Sequence, residues 1–235
     1  MGLITTFYGV NRYNNLMAFI FTRNLGNITM MSVSFISTVD ILGTFSFAVA
    51  GAFAAMEKRL DPFGVLIISF VSAIGGGTIR DILLGNFPVS WLTETTAVLV
   101  ILISCALALF FGTTLKKLDS VLFLFDAVGL GLFTMIGIQK GMDHGLHKGI
   151  CIMLGTITGC FGGVLRDVLL NKVPLIFQKE IYASACIAGG ILFFILLQLK
   201  IQINFSFIAG IVFTFLVRIL AVRFNWSLPV FYKKK

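Results

Sequence analysis

Seven apolar stretches, each close to the length needed to cross a hydrocarbon core of roughly 30 Å, run along this chain with charged or turn-forming gaps between them. They fall near 36–57, 63–85, 95–112, 121–139, 149–170, 181–199 and 204–223. In lipid, backbone polar groups must be satisfied within the segment, so such stretches admit helices and little else. The charge content agrees: only 12% of residues are charged, at a mean hydropathy of +1.01. A water-facing domain carries about 25% charged residues. The expected fold is an all-α integral membrane bundle of seven transmembrane helices.

The net charge of +8 sits mostly in the gaps, so it reads as a topology signal rather than a nucleic-acid footprint. With the N-terminus outside, the inner segments hold Lys58, Arg59, Lys116, Lys117, Lys172, Lys179, Arg223 and Lys233 to Lys235. The outer side holds Lys140, Lys148, Lys200, Arg12 and Arg23, so the count favours N-outside, C-inside. Residues 1–35 mix Asn, Arg and Thr with a short apolar patch, Leu16 to Phe21, and read as a disordered or interfacial arm. Met30 and Met31 stand just before the first span as candidate starts. Cys105, Cys151, Cys160 and Cys186 lie inside apolar runs without CxxC spacing and read as small buried hydrophobes.

The chain also repeats itself. SAIGGGTIRDILLGNFP (72–88) matches TGCFGGVLRDVLLNKVP (158–174) at an offset of 86 residues. The same gapless offset aligns Asp40 with Asp126, Gly43 with Gly129, Phe47 with Phe133, Gly51 with Gly137, Met56 with Met142 and Pro88 with Pro174. Each copy holds three spans, an odd number, so the second copy enters from the opposite face: an inverted repeat. The division expected is an arm over 1–35, a first three-helix repeat over 36–120, a second over 121–200, and a seventh helix with a basic tail over 201–235.

Within the repeat, Gly75, Gly76 and Gly77 fall mid-span, and Gly162 and Gly163 hold the equivalent place. Glycine runs weaken helices, and two broken helices at matching places in inverted halves point to a substrate or ion path. Close packing is the competing reading, and Gly43, Gly51, Gly129, Gly137, Gly155 and Gly159 are assigned to it. Charges at membrane depth are costly and imply partners. Arg80 and Asp81 are adjacent on a helix and do not face each other; nor do Arg166 and Asp167. Depth instead predicts two related pairs, Asp40 with Arg80 and Asp126 with Arg166, one at each mouth of the path. His144 and His147 lack a third ligand and read as solvated loop residues rather than a metal site. No nucleophile elbow is present, so catalysis is not expected.

These residues resemble a known family. Asp40-x-x-Gly43 with Phe47-Ala48-x-x-Gly51, then Gly75-Gly76-Gly77-x-x-Arg80-Asp81, repeated in degenerate form, looks like the bacterial branch of the trimeric intracellular cation (TRIC) channels. The resemblance covers roughly 36 to 223. It implies two inverted three-helix repeats plus one helix, homotrimers with a pore in each protomer, and glycine-kinked second and fifth helices lining that pore. It also implies no cofactor, only permeant monovalent ions, K⁺ or Na⁺. Phe161 departs from the pattern, standing where a third glycine would complete the second triplet, and narrows that half. Proteins of this type have also been labelled glycine or small-solute transporters. That rival needs an acidic amine acceptor at the midplane, which the chain does not offer there.

Overall fold

The computed structural model describes residues 33–112, 118–178 and 181–226. The N-terminal arm through residue 32, Lys116 and Lys117, Lys179 and the basic tail lie outside them. Among the described residues the chain is helical, with seven main helices: α1 (Val33–Glu57), α2 (Pro62–Leu84), α3 (Thr95–Gly112), α4 (Leu118–Asp143), α5 (Lys148–Leu169), α6 (Ala183–Gln198) and α7 (Ile203–Arg223). A single helical turn, Ser90–Thr93, precedes α3, and a 3₁₀ turn, Leu175–Phe177, precedes α6. Six of the seven are long and apolar enough to cross a membrane; α6, with 16 residues, is the shorter apolar one.

Local chemistry sets the helix ends. Asp61 caps α2 by accepting a hydrogen bond from the Gly64 amide at 2.7 Å, with Pro62 in the first turn, where its missing N–H costs nothing. Gly85 closes the same helix at φ 71°, a conformation glycine adopts freely. His147 sits 86 residues after Asp61 and caps α5 through Nδ1 and the Gly149 amide, 3.3 Å. His144 Nδ1 lies 2.8 Å from the Lys140 carbonyl, at the end of α4. Both histidines of the loop therefore serve its geometry.

Tertiary packing places α1 and α4 together at the centre. The Phe47 and Phe133 rings stack across them, centroids 5.4 Å apart. Each ring lies over a glycine of the other helix: Phe133 over Gly43, Phe47 over Gly129. Beside this pair α2 crosses α5. There the Gly76 Cα seats against the Thr158 carbonyl, and the Gly162 Cα seats against the Ser72 carbonyl. Both sets of contacts are reciprocal at the 86-residue offset, as in an isologous interface.

The helices α2 and α5 run without interruption through Gly75–Gly77 and through Phe161–Gly163. The breaks expected from the glycine run are absent. Small residues here let two backbones approach closely, and that close approach carries the packing gain. The other assigned glycines do the same work: a β-carbon at Gly155 would lie 2.5 Å from the Thr134 carbonyl oxygen, and one at Gly159 would lie 3.0 Å from that of Leu130.

Outside the centre the halves differ. α3 flanks α1, whereas α7 takes much of the corresponding place against α4. Gly131 of α4, which faces the Ile211 carbonyl, and Gly189 of α6, which faces Thr214 and the Gly210 carbonyl, let α7 settle closely against both helices. Large apolar side chains such as Phe63, Phe110, Phe177 and Phe205 project outward, the surface of a chain solvated by lipid.

Candidate functional site

Two clusters of charge lie inside the bundle, one in each half. In the first, Arg80 and Asp81 near the end of α2 are 4% and 2% exposed. They bond each other: Arg80 Nε and Nη2 both reach Asp81 Oδ1, at 2.9 and 2.8 Å. The second carboxylate oxygen accepts from the Ser90 amide (2.9 Å) and hydroxyl (2.7 Å), which ties the turn before α3 to the end of α2. Trp91, on that turn, donates from Nε1 to Thr78 Oγ1 at 3.2 Å.

The second cluster repeats this pattern and adds to it. Arg166 Nε donates to Asp167 Oδ1 at 2.9 Å, and Asp167 Oδ2 accepts from the Leu175 amide at 3.3 Å. Arg166 Nη1 also donates to Asp126 Oδ1 on α4, at 2.7 Å. So the predicted Asp126–Arg166 pair forms. Asp40 and Arg80 form no ion pair within 4 Å; Arg80 pairs with Asp81, and Asp40 borders the same cavity. The spacing argument that set neighbouring Arg and Asp apart fails for a physical reason. An arginine fork is long enough to fold back, and a buried guanidinium takes whichever carboxylate lies in reach.

What surrounds the two clusters decides what each can do. Around the first is a cavity of about 40 Å³, lined among others by Asp40, Thr44, Gly77, Thr78, Arg80 and Asp81, with Ser90, Trp91 and Glu94. Three carboxylates face it and one guanidinium, which is already neutralised by Asp81. About 10–15 Å³ of such space holds one water, so a few waters, or an ion with part of its hydration, fit here.

At the second cluster the equivalent positions are apolar. The offset carries Thr44 to Leu130, Thr78 to Val164 and Ser90 to Ile176. Leu130, Cys160, Tyr182 and Cys186 pack together where the first half is hollow. The Tyr182 hydroxyl stands over Gly163, beside Asp126 and Arg166. Arg218 of α7, wholly buried, lies with its guanidinium carbon 4.8 Å from the Tyr182 ring centre and 5.2 Å from that of Phe123. Its Nη1 donates to the Ile181 carbonyl at 3.2 Å.

A solved structure of the TRIC trimeric intracellular cation channel orthologue from Rhodobacter sphaeroides is 33% identical to this chain and superposes with a TM-score of 0.78, covering 82% of this chain and 99% of its own. The chain belongs to the bacterial branch of the TRIC family. A prokaryotic TRIC channel solved in 0.5 M KCl gives the same TM-score at 30% identity, covering 84% of this chain and 100% of that one. Among curated relatives, the UPF0126 inner membrane protein YadS of Escherichia coli K12 is 38% identical over 195 residues, 82% of this chain and 94% of that protein. A family model described as "Glycine transporter" matches twice, over residues 37–113 and 123–198. The chain is therefore a multi-pass membrane protein with a TRIC-like fold.

Of the residues singled out from the sequence, Asp40, Gly77, Arg80 and Asp81 meet at the cavity; Asp126, Gly163, Arg166 and Asp167 meet at the filled cluster. Gly75, Gly76 and Gly162 lie at the α2–α5 crossing, with half-buried Phe161 next to them in α5. Sequence reasoning missed Glu94, Tyr182 and Arg218. Arg218 carried a usable signal, a charge inside an apolar span, which is the same rule that flagged Arg80 and Arg166.

Proposed function

We propose that this protein is a monovalent cation channel, conducting chiefly K⁺, with one path in each protomer of a homotrimer. The observation that carries the reading is the polar-lined cavity beside α2, where Asp40, Asp81 and Glu94 outnumber Arg80. Because Asp81 neutralises Arg80, the remaining field is negative and favours cations over anions. The likeness to solved TRIC channels supports the same reading. The ion enters at Asp40 and Glu94, sheds part of its water against Thr44 and Thr78, and passes along α2 toward α5. With no helix break to free carbonyls, carboxylate and hydroxyl oxygens are the ligands on this route. Half-buried Phe161 and the Phe133 ring narrow it, and apolar constrictions of that kind close by dewetting.

In this account the halves are inverted three-helix repeats, residues 36–120 and 121–200, with α7 outside the repeat. The reciprocal contacts of Gly76 with Thr158 and Gly162 with Ser72 support that symmetry. The N-terminus lies outside and the C-terminus in the cytoplasm of a bacterial inner membrane, the membrane named for YadS.

The test is single-channel recording of purified protein in planar bilayers across a KCl gradient. Discrete steps reversing near the K⁺ equilibrium potential are expected. A second reading, a secondary transporter of glycine or another small solute, is favoured by the description of the family model. It predicts a silent bilayer and saturable glycine uptake into liposomes.

A further inference from the structure

The two charged clusters are built from the same residues at an 86-residue offset, yet one borders a cavity and the other is filled. Part of the difference lies in the apolar replacements at the offset; the rest traces to two residues the repeat does not supply. The offset places Tyr182 opposite Thr96, an exposed residue of the first half. Arg218 comes from α7, which stands outside the repeat and settles against α4.

Charge explains what Arg218 does there. Asp126 and Asp167 carry two negative charges, and Arg166 balances one. The cluster alone therefore has an excess negative charge in a buried place, which calls for a cation. Arg218 supplies one from the neighbouring helix, stacked on Tyr182 and Phe123. Two buried oxygens beside it, Asp126 Oδ2 and the Tyr182 hydroxyl, have no hydrogen-bond partner. Orphaned buried oxygens next to an acidic cluster are what a water or a small cation would satisfy.

We infer that Arg218 is a tethered cation that takes the place of the permeant ion in the second half, and that with Tyr182 it forms the closed gate of the path. Opening requires α7 to withdraw the guanidinium. Asp126 Oδ2 and the Tyr182 hydroxyl then become ligands for a passing K⁺. Arg218 is a positioning residue in this scheme: it touches Tyr182, and Tyr182 obstructs the route beside Gly163. This inference rests on the channel reading above and names the regulation of that path.

The test compares wild type, Arg218→Ala and Arg218→Lys in the same bilayers. Arg218→Ala is expected to raise open probability by roughly tenfold, the shift in a two-state balance that loss of one buried, stacked cation can produce. Added guanidinium ion is expected to close the Arg218→Ala channel again and to leave wild type unchanged. Arg218→Lys keeps the charge without the planar stack and is expected to lie between. A second readout does not depend on current. Cys160 and Cys186 pack with Tyr182 and are fully buried, so a small cationic thiosulfonate is expected to modify them at least about tenfold faster in Arg218→Ala. If Arg218→Ala does not fold, Tyr182→Ala removes the same plug from its other partner. Silent wild-type bilayers with faster labelling of the variant would reject the channel and keep the gate. Wild-type currents with unchanged open probability and unchanged labelling in the variants would overturn the gate.

Discussion

The α2–α5 crossing makes a sharp prediction because neighbouring glycines there should respond with opposite sign. A methyl group at Gly76 falls on the Thr158 carbonyl oxygen, and one at Gly162 falls on the Ser72 carbonyl oxygen. Both obstacles are helix backbone and cannot rotate away. One residue on, a methyl at Gly77 meets only Arg80 Nη2, at 3.7 Å, an ordinary contact. Alanine in place of glycine favours a helix by about 1 kcal/mol. Overpacking a tight interface costs about 1–3 kcal/mol, occasionally more. The net lies between about 0 and 2 kcal/mol, and because both obstacles are rigid backbone, Gly76→Ala and Gly162→Ala are expected to destabilise the protein by roughly 2 kcal/mol, and Gly77→Ala to stabilise it by up to roughly 1 kcal/mol. For a chain of this size each kcal/mol moves Tm by about 2–4 °C. Thermal unfolding of the three variants in one detergent, heated at one rate, gives the ranking directly. Because both substitutions pry open the same crossing, the Gly76→Ala/Gly162→Ala double variant should lose less than the sum of the singles. A Gly76→Ala protein that unfolds at or above the wild-type temperature would refute the close-approach account and return the glycine run to a role in breaking the helix.

The buried and exposed ion pairs should differ widely. Asp126→Ala leaves Arg166 with Asp167 alone, and by denaturant or thermal unfolding it should cost roughly 3 kcal/mol or more. The Glu57–Lys172 pair, 2.7 Å apart but 37% and 34% exposed, should be worth no more than about 0.5 kcal/mol by the same measurement, so Lys172→Ala should unfold almost as wild type does. In the folded wild-type protein none of Cys105, Cys151, Cys160 and Cys186 should react with maleimide, and all four should react after denaturation; prompt native labelling at any of them would contradict its burial.

Much of this arrangement was legible in the residues. Length and apolarity determined the class, and the offset between Asp40 and Asp126 and between Arg80 and Arg166 located both charged clusters. The Asp126–Arg166 pair followed from depth alone. Two things were hidden. Whether a glycine run breaks a helix or packs it depends on what lies opposite, and the backbone carbonyls of Ser72 and Thr158 are placed there only by the tertiary crossing. Whether neighbouring Arg80 and Asp81 pair depends on how far burial deprives each of water, which helix spacing does not report. The unequal filling of the halves was partly readable: Thr44, Thr78 and Ser90 become Leu130, Val164 and Ile176 at the offset. Arg218 was readable as a charge in an apolar span, but its destination required knowing where α7 docks.

The most direct test of the central claim neutralises the acidic lining that the arginine does not already engage. Asp40→Asn with Glu94→Gln removes those two carboxylates from the cavity and leaves the Arg80–Asp81–Ser90 network in place. Recorded across a KCl gradient, wild type should reverse near the K⁺ equilibrium potential. The double variant should show lower conductance and a reversal potential moved toward zero. Equal conductance and equal selectivity in the two proteins would mean that cations do not pass through this cavity.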